Sequence, residues 1–401
     1  MTPSKEPRHA ATDETVEEGT ATNETVTDDV VAMNAARLQQ KTAAIVYNPI
    51  KVDLEELRAA LQTQEAANNW GPTLWLETSE DDPGEQITRT AVEKKVDVVI
   101  AAGGDGTVRA VAESLRGTGI PLALLPSGTG NLLARNLALT LDDMTHSLET
   151  AFTGANRSID LGVIDIERAD STRDRHAFLV MAGLGIDAKM IANTNSELKK
   201  RVGWLAYVQA ITLALRDKDE LRFRYRLGDH PTRALRAHTL IIGNCGSLPA
   251  NMLLLPDAAV DDGVFDIVML RPKGFFGWVQ IWARVAWENG IIRRTAMGRK
   301  LMGEVKEVRA MEYDKGESVT ARFSRAEHIE LDGDAFGEAV AFKTWVDAGS
   351  LVVRIPAEVA ADSTGDDVGA GDAGASDAGA SEAGASDAGA SDAGTKEDAH
   401  A

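Results

Sequence analysis

Twice between Val98 and Leu137 a wholly apolar run ends in glycines and gives way to helix-forming sequence. Val98–Ala102 leads into Gly103-Gly104-Asp105-Gly106-Thr107, and Leu122–Leu125 leads into Pro126-Ser127-Gly128-Thr129-Gly130-Asn131. A strand that is apolar at every position is buried on both faces, as in parallel sheets covered by helices. Strand, glycine turn, helix is therefore the grammar of an open, doubly wound α/β sheet. Ligands of such sheets bind at the carboxyl ends of the strands, where these two turns would share one crevice. Glycine lets backbone N–H groups approach a ligand without Cβ interference, and a helix N-terminus adds partial positive charge, so the construction suits phosphate. A carboxylate at Asp105 would repel a bare phosphate. It fits if it faces Mg²⁺, or a hydroxyl that must lose a proton. Neither turn is a P-loop, which needs Gly-Lys-Ser/Thr, and neither is the dinucleotide fingerprint, which would need a glycine near Arg109.

The flanking sequence extends the pattern. Ala43–Tyr47 and Thr73–Leu76 read as strands, Val96–Ala102 as the strand before the first turn, and Asp53–Asn68, Thr107–Arg116 and Asn131–Leu137 as helices. Beyond about residue 157 the grammar changes. Ile159–Ile166, Phe178–Met181, Leu221–Leu227, His238–Ile242, Phe265–Leu270, His328–Leu331 and Leu351–Ile355 are strand-like with few helices between them. That predicts a second, antiparallel β-sandwich domain. The expected organisation is an acidic arm at 1–40, a nucleotide-binding α/β domain at 41–156, a β-sandwich substrate domain at 157–356, and an acidic tail at 357–401.

Charge separates these parts. The 401 residues carry a formal net charge of −20. The arm holds −5 of it and the tail −10, so the part between is close to balanced. From Asp372 the tail repeats Asp-Ala-Gly-Ala-Ser, once with Glu382 for Asp, and offers no large apolar side chain from which to build a core. Arm and tail are expected to be disordered. The acidity argues against a nucleic-acid partner, because that binding is driven by phosphate neutralisation. The one cysteine, Cys245, excludes an internal disulfide. No apolar run is long enough to span a bilayer, and Met1–Val30 lacks the apolar stretch of a signal peptide. The expectation is a cytoplasmic protein that meets the inner membrane face peripherally. Lys199-Lys200-Arg201 reads as a solvated face or a contact to anionic head groups. Phe275, Trp278 and Trp282 recur at helical spacing in Phe275–Trp287, as a core stripe or a lipid-facing helix.

Taken together, the two glycine turns resemble the diacylglycerol kinase catalytic domain, and more broadly the soluble lipid kinases that include sphingosine kinases. Further matches follow in order. Tyr47-Asn48-Pro49-Ile50-Lys51 is similar to the family's Asn-Pro element. Gly183-Leu184-Gly185-Ile186-Asp187-Ala188 is similar to its Gly-x-Gly-hydrophobic-Asp-Ala turn, and Lys200–Val208 to the helix after it. Pro256-Asp257-Ala258 with Asp261-Asp262-Gly263 resembles its Pro-Asp-Ala…Asp-Asp-Gly element, and Leu331-Asp332-Gly333-Asp334 stands where the family usually has Asp-Gly-Glu. The resemblance covers about residues 42–356. It implies a nucleotide-binding domain, a β-sandwich domain, and transfer of the ATP γ-phosphate to a lipid hydroxyl between them.

The implied site can be named residue by residue. Gly103, Gly104, Gly106 and Thr107 would hold ATP phosphates, with Asn48, Lys51, Ser127, Gly128, Thr129 and Asn131 around the nucleotide; Asn131 could instead cap its helix. Asp105 is the first candidate for the hydroxyl base or a Mg²⁺ contact. Asp334 takes the place of the family's assisting Glu and is one methylene shorter, a loss of reach of about 1.5 Å. Asp187 would meet the lipid head group. Asp257, Asp261 and Asp262 offer hard oxygens for a structural Mg²⁺, or form an Asp-Gly turn. ATP and Mg²⁺ are the expected cofactors and a membrane lipid, most simply diacylglycerol, the expected partner; the sequence leaves a homodimer open. Two other functions fit fewer residues. NAD kinase shares a Gly-Gly-Asp-Gly turn, but no convincing Asn-Glu pair is placed to hold a ribose. A catalytically weak binding or regulatory protein is motivated by Asp334.

Overall fold

The computed structural model describes residues 40–185, 220–248, 252–253, 255, 257–272, 277, 280–281 and 310–363. The first half alternates strands and helices: β1 Ala43–Tyr47, α1 Leu54–Asn68, β2 Leu74–Glu77, α2 Glu85–Glu93, β3 Val98–Gly103, α3 Asp105–Leu115, β4 Leu122–Pro126, α4 Leu132–Asn136 and α5 Met144–Thr153. Strands β2, β1, β3 and β4 lie in that order and all pair in parallel. The apolar runs are now explained. Alternate residues face opposite sides, and both sides are buried. Ala43, Ile45, Val98, Ile100, Ala123 and Leu125 pack with Leu57 and Leu61 of α1 and Leu148 and Phe152 of α5. Their neighbours Ala44, Val46, Val99, Ala101, Leu122 and Leu124 pack with Ala91 of α2 and Val111 and Leu115 of α3. The chain reverses its direction across the sheet between β1 and β3, which makes the space above those two strands the switch-point crevice.

The second half is antiparallel: β5 Ala155–Glu167, β6 Arg173–Phe178, β7 Met181–Gly185, β8 Leu221–Leu227, β9 Arg233–Ala237, β10 Thr239–Gly243, the short pair β11 Ser247–Leu248 and β12 Met252–Leu253, β13 Phe265–Leu270, β14 Met311–Gly316, β15 Ser318–Leu331 and β16 Asp334–Ile355, followed by α6 Ala357–Ser363. Its core is a separate cluster built on Ile164, Phe178, Leu184, Phe223, Ile242, Phe265 and Phe342. Strand β16 ties the halves together. It pairs with β15 and β5 along its length, and near its end Val353 pairs in parallel with Leu122 of β4.

Some expected elements change. The expected helix Thr107–Arg116 begins two residues earlier, so Asp105 lies in its first turn, where the helix dipole favours a carboxylate. The expected strand Phe178–Met181 is broken at Leu179 and Val180, because their N–H groups bond to Asp332 instead of to a neighbouring strand. Helices α2 and α5 were not anticipated. The N–H groups of Gln86 and Ile87 at the start of α2 are accepted by Asp82, which the sequence buries in a Pro-Gly turn. Among the described residues no helix is long and apolar enough to cross a membrane. The arm, most of the tail, Asp187, Lys199–Arg201, Pro256 and the aromatic positions Phe275, Trp278 and Trp282 lie outside the described residues.

Candidate active site

The two glycine turns touch. Ser127 N–H donates to Gly103 O at 3.1 Å, carrying the β3–β4 ladder into the turns. A methyl group on Gly128 would lie 2.7 Å from Gly104 Cα, so the requirement here is backbone contact, not an unusual φ. A methyl on Gly130 would overlap Asp105 Oδ2. The reason is a clamp. Asp105 Oδ2 accepts from Asn131 N–H at 3.0 Å and Oδ1 from Leu132 N–H at 2.6 Å, so the first residue of α3 caps the start of α4. Burial pushes the Asp105 carboxyl above its usual range. The two N–H bonds pull the other way, and the nearby Asp334 carboxylate adds to the rise. Asp105 is thus a structural member of the site as well as a chemical candidate.

The remaining nucleotide candidates line these turns. Asn131 adopts a left-handed backbone (φ 48°), accepts from Gly128 N–H at 3.1 Å and donates to Gly128 O at 3.0 Å; it closes its own turn and does not cap its helix. The Ser127 hydroxyl donates to Leu125 O at 3.1 Å. Thr107 is buried against Gly103, where a methyl would come within 2.7 Å of its Oγ1, and Thr129 is exposed at the rim. At the end of β1, Asn48 N–H donates to Ala102 O at 3.0 Å, and its Oδ1 accepts from Ile50 N–H at 3.0 Å, which holds the exposed Lys51 at the switch point.

Asp334 arrives from the other half. It is exposed, yet a methyl on Gly106 would lie 2.7 Å from its Oδ2. The shorter side chain therefore reaches the first turn of α3. Its position is fixed by the preceding hairpin turn, in which Leu331 pairs with Asp334 and both Asp332 (φ 51°) and Gly333 (φ 89°) are left-handed, the geometry for which Asp-Gly is favoured. Asp332 is buried and its carboxylate accepts from three backbone N–H groups, Leu179 at 2.8 Å, Val180 at 2.8 Å and Met181 at 3.0 Å. Burial raises its carboxyl to about 6 despite those bonds. Two residues past Asp334, the Phe336 ring lies 4.4 Å under the Arg109 guanidinium of α3 and meets the His176 ring edge-on at 4.8 Å. Asp332, quoted from sequence only as part of its Asp-Gly element, and Arg109 and Phe336 were given no role there. The Asp-Gly between two strand runs was the available signal for the hairpin; nothing local marks the Arg109–Phe336 contact.

The acidic run at 257–262 is arranged differently. Asp257 is exposed and its carbonyl accepts from Lys315 Nζ at 3.0 Å. Asp261 is held by Arg157 Nη2 at 2.7 Å, and Asp262 Oδ1 accepts from Val264 N–H at 3.2 Å, an Asx turn ahead of β13. Burial raises the Asp262 carboxyl. Among the described residues no three Asp, Glu, His or Cys side chains meet as a metal-holding group. The three carboxylates of this run are thus held by separate partners and are not gathered into one cluster.

Residues 42–164 match the family model described as diacylglycerol kinase catalytic domain, and residues 180–286 match that described as YegS C-terminal NAD kinase beta sandwich-like domain. A Pseudomonas aeruginosa protein named probable lipid kinase YegS-like is 34% identical over 227 residues, spanning 56% of this chain and 70% of that one. A Bacillus subtilis diacylglycerol kinase is 26% identical over 308 residues, 74% of this chain and 91% of that one. The crystal structure of a diacylglycerol kinase from Bacillus anthracis superposes with a TM-score of 0.53 at 18% identity, covering 80% of this chain and 98% of that chain, a likeness of fold.

Proposed function

The chain belongs to the lipid kinase family that joins a diacylglycerol kinase catalytic domain to this β-sandwich, and from that premise we propose that it transfers the ATP γ-phosphate to the hydroxyl of diacylglycerol. The observation that carries the reading is the Asp334 carboxylate held against Gly106, in the turn best built for phosphate. Phosphoryl transfer needs in-line positioning, charge neutralisation and a group oriented on the nucleophile. The backbone of Gly103–Thr107 and the N-terminus of α3 supply the phosphate cradle. Asp334, exposed beside Gly106, accepts the proton of the lipid hydroxyl as it attacks. Asp105 keeps the two turns in register. Asp105 and Asp334 are neighbouring hard oxygen donors of like charge; burial is the main cause of the raised Asp105 carboxyl and the Asp334 carboxylate adds to it, a repulsion that a divalent cation would relieve, so the pair fits Mg²⁺. Bound there, Mg²⁺ would neutralise phosphate charge. Lys51 would reach the phosphates from the switch point, and Asp187 the lipid head group.

The test is transfer of labelled phosphate from Mg-ATP to diacylglycerol, monoacylglycerol, sphingosine, ceramide and NAD in mixed micelles, with Asp334→Asn beside the wild type. Label in diacylglycerol, lost in the variant, is the expected result. Label in NAD alone would replace the lipid reading. A second reading, lipid and nucleotide binding with negligible turnover, is favoured by the Asp at position 334 where the family usually carries Glu. It predicts ATP binding with no label in any acceptor, and gain of transfer in Asp334→Glu.

A further inference from the structure

The outer face of the antiparallel sheet carries a charge pattern that the active site does not use. Six strands run in the order β9, β8, β15, β16, β5, β6. On β8, Leu221, Phe223, Tyr225 and Leu227 turn into the core while Arg222, Arg224 and Arg226 turn out. The register sets Arg222 opposite Arg236 of β9, and Arg224 opposite Arg322 of β15. Like charges directly opposite across strands destabilise a sheet, so two such pairs side by side oppose folding. Elsewhere on this face arginines are matched. Arg175 bonds Asp165 at 2.6 Å, and Arg173 and Arg322 share Glu167 at 2.9 and 2.8 Å. Among the described residues no carboxylate pairs with Arg222, Arg224, Arg226 or Arg236.

Three of these arginines, Arg222, Arg224 and Arg236, with Arg322 paired to Glu167 and Arg271 paired to Glu312, surround a space. A hollow of about 640 Å³, open to solvent, is lined by these five arginines and Ser324 around a floor of Phe223, Ala234, Leu235 and Phe323. Along the same face, Trp345 lies beneath Arg175 and Lys343, at 5.3 and 5.6 Å from ring centroid to cation. The guanidinium fork matches phosphate oxygens in pairs, and tryptophan favours the head-group level of a bilayer. The net charge of −20 does not prevent approach to an anionic surface. Fifteen of those charges belong to residues 1–40 and 357–401, so the part of the chain that carries this face is close to balanced.

We propose that this arginine face docks the protein on an anionic lipid bilayer, with phosphodiester head groups entering the hollow. The purpose of the docking rests on the lipid-kinase reading; the binding itself does not. Strand β15 carries Arg322 toward one end and leads at the other into the turn that holds Asp334, so the docked sheet and the catalytic hairpin share a strand.

The test is co-flotation of the full chain with vesicles of phosphatidylcholine containing 30 mol% phosphatidylglycerol, against pure phosphatidylcholine, at low and physiological salt. The wild type is expected to float with the anionic vesicles only, and less at higher salt. Each basic residue near an anionic leaflet is worth roughly five-fold in partitioning, so Arg222→Ala/Arg224→Ala/Arg236→Ala should lose about 10²-fold. These positions are exposed strand residues, and their removal also relieves repulsion, so the variant should fold. Its phosphate transfer to a micellar short-chain diacylglycerol should be unchanged. Equal flotation of variant and wild type, or equal binding to both vesicles, overturns the proposal. So does flotation that appears only after Asp372, Asp377, Glu382, Asp387 and Asp392 are changed to Asn or Gln, because the tail would then be the occupant of the face. A wild type that floats through these arginines yet labels no lipid would remove the kinase reading and leave the surface standing.

Discussion

Gly106→Ala separates catalysis from folding. Gly106 sits in the first turn of α3 and is not among the residues with positive φ, so alanine suits its backbone. The exchange should leave stability unchanged or raise it by up to about 1 kcal/mol. The added Cβ would, however, lie 2.7 Å from Asp334 Oδ2. An ordinary contact needs about 3.5 Å, so the carboxylate must retreat by roughly 0.8 Å. A misplacement near 1 Å can cost about 10²-fold in rate. The expected outcome is a kcat lowered by about 10- to 10²-fold, a melting temperature equal to or above the wild type, and a near-normal KM for ATP. Labelled phosphate transfer and thermal unfolding measure the two sides independently. Wild-type kcat would refute the argument that Asp334 acts from its position on Gly106. A raised KM with kcat preserved would assign Gly106 to the phosphate cradle alone.

Other perturbations test the supports of the site. Asp105→Asn keeps the shape but offers one oxygen to two N–H donors and turns an amide N–H toward the other; thermal unfolding should show a loss of about 1–3 kcal/mol, with transfer abolished. Arg109→Met removes the guanidinium from Phe336 and should lower kcat with little change in KM, since the hairpin carrying Asp334 loses its hold on α3; a normal kcat would make that contact irrelevant to positioning. The Asp332 carboxyl is raised from 3.8 to about 6, so the folded state favours its protonated form. Its contribution to stability is full below pH 4 and is lost as pH rises through 6, by roughly 3 kcal/mol. The melting-temperature advantage of wild type over the non-titrating Asp332→Asn should therefore shrink between pH 5 and pH 7.5, and a constant difference would contradict the shift.

The parallel sheet was legible because its signal is local. Ala43–Tyr47, Val98–Ala102 and Leu122–Leu125 are apolar at every position, and that pattern has few solutions other than a strand covered on both faces. The glycines were legible for the same reason. What sequence could not supply were the pairings that need a partner far along the chain. The break at Leu179–Val180 exists because a carboxylate 152 residues away, Asp332, takes the Val180 N–H. The three carboxylates at 257–262 read as one group on paper, but that Arg157 pairs with Asp261 from 104 residues away is not written near them. Helix α5 escaped notice because its buried Leu148, Ala151 and Phe152 stand among threonines, which weaken the helical pattern. The arginines of β8 lie between these cases. Their alternation is plain in Leu221–Leu227, but that Arg236 and Arg322 face them is a fact of register.

The site's two central carboxylates differ in how they can fail. Asp105 has both oxygens bonded to backbone N–H groups of the second turn, so it cannot move without opening that turn and freeing the start of α4. Disturbing it costs fold and chemistry together. Asp334 is carried on a two-residue turn fixed by the buried Asp332, and Phe336 just beyond it is clasped by Arg109. Disturbing that side shifts a carboxylate by a fraction of an ångström while both cores stay packed. Changes at Asp334 and Phe336 should therefore lower turnover before they lower stability, and changes in the second glycine turn should lower both at once. The methylene missing at position 334 falls on the adjustable side. A carboxylate whose reach is set by a hairpin can be brought to Gly106 by the backbone, which a carboxylate locked into two N–H bonds could not.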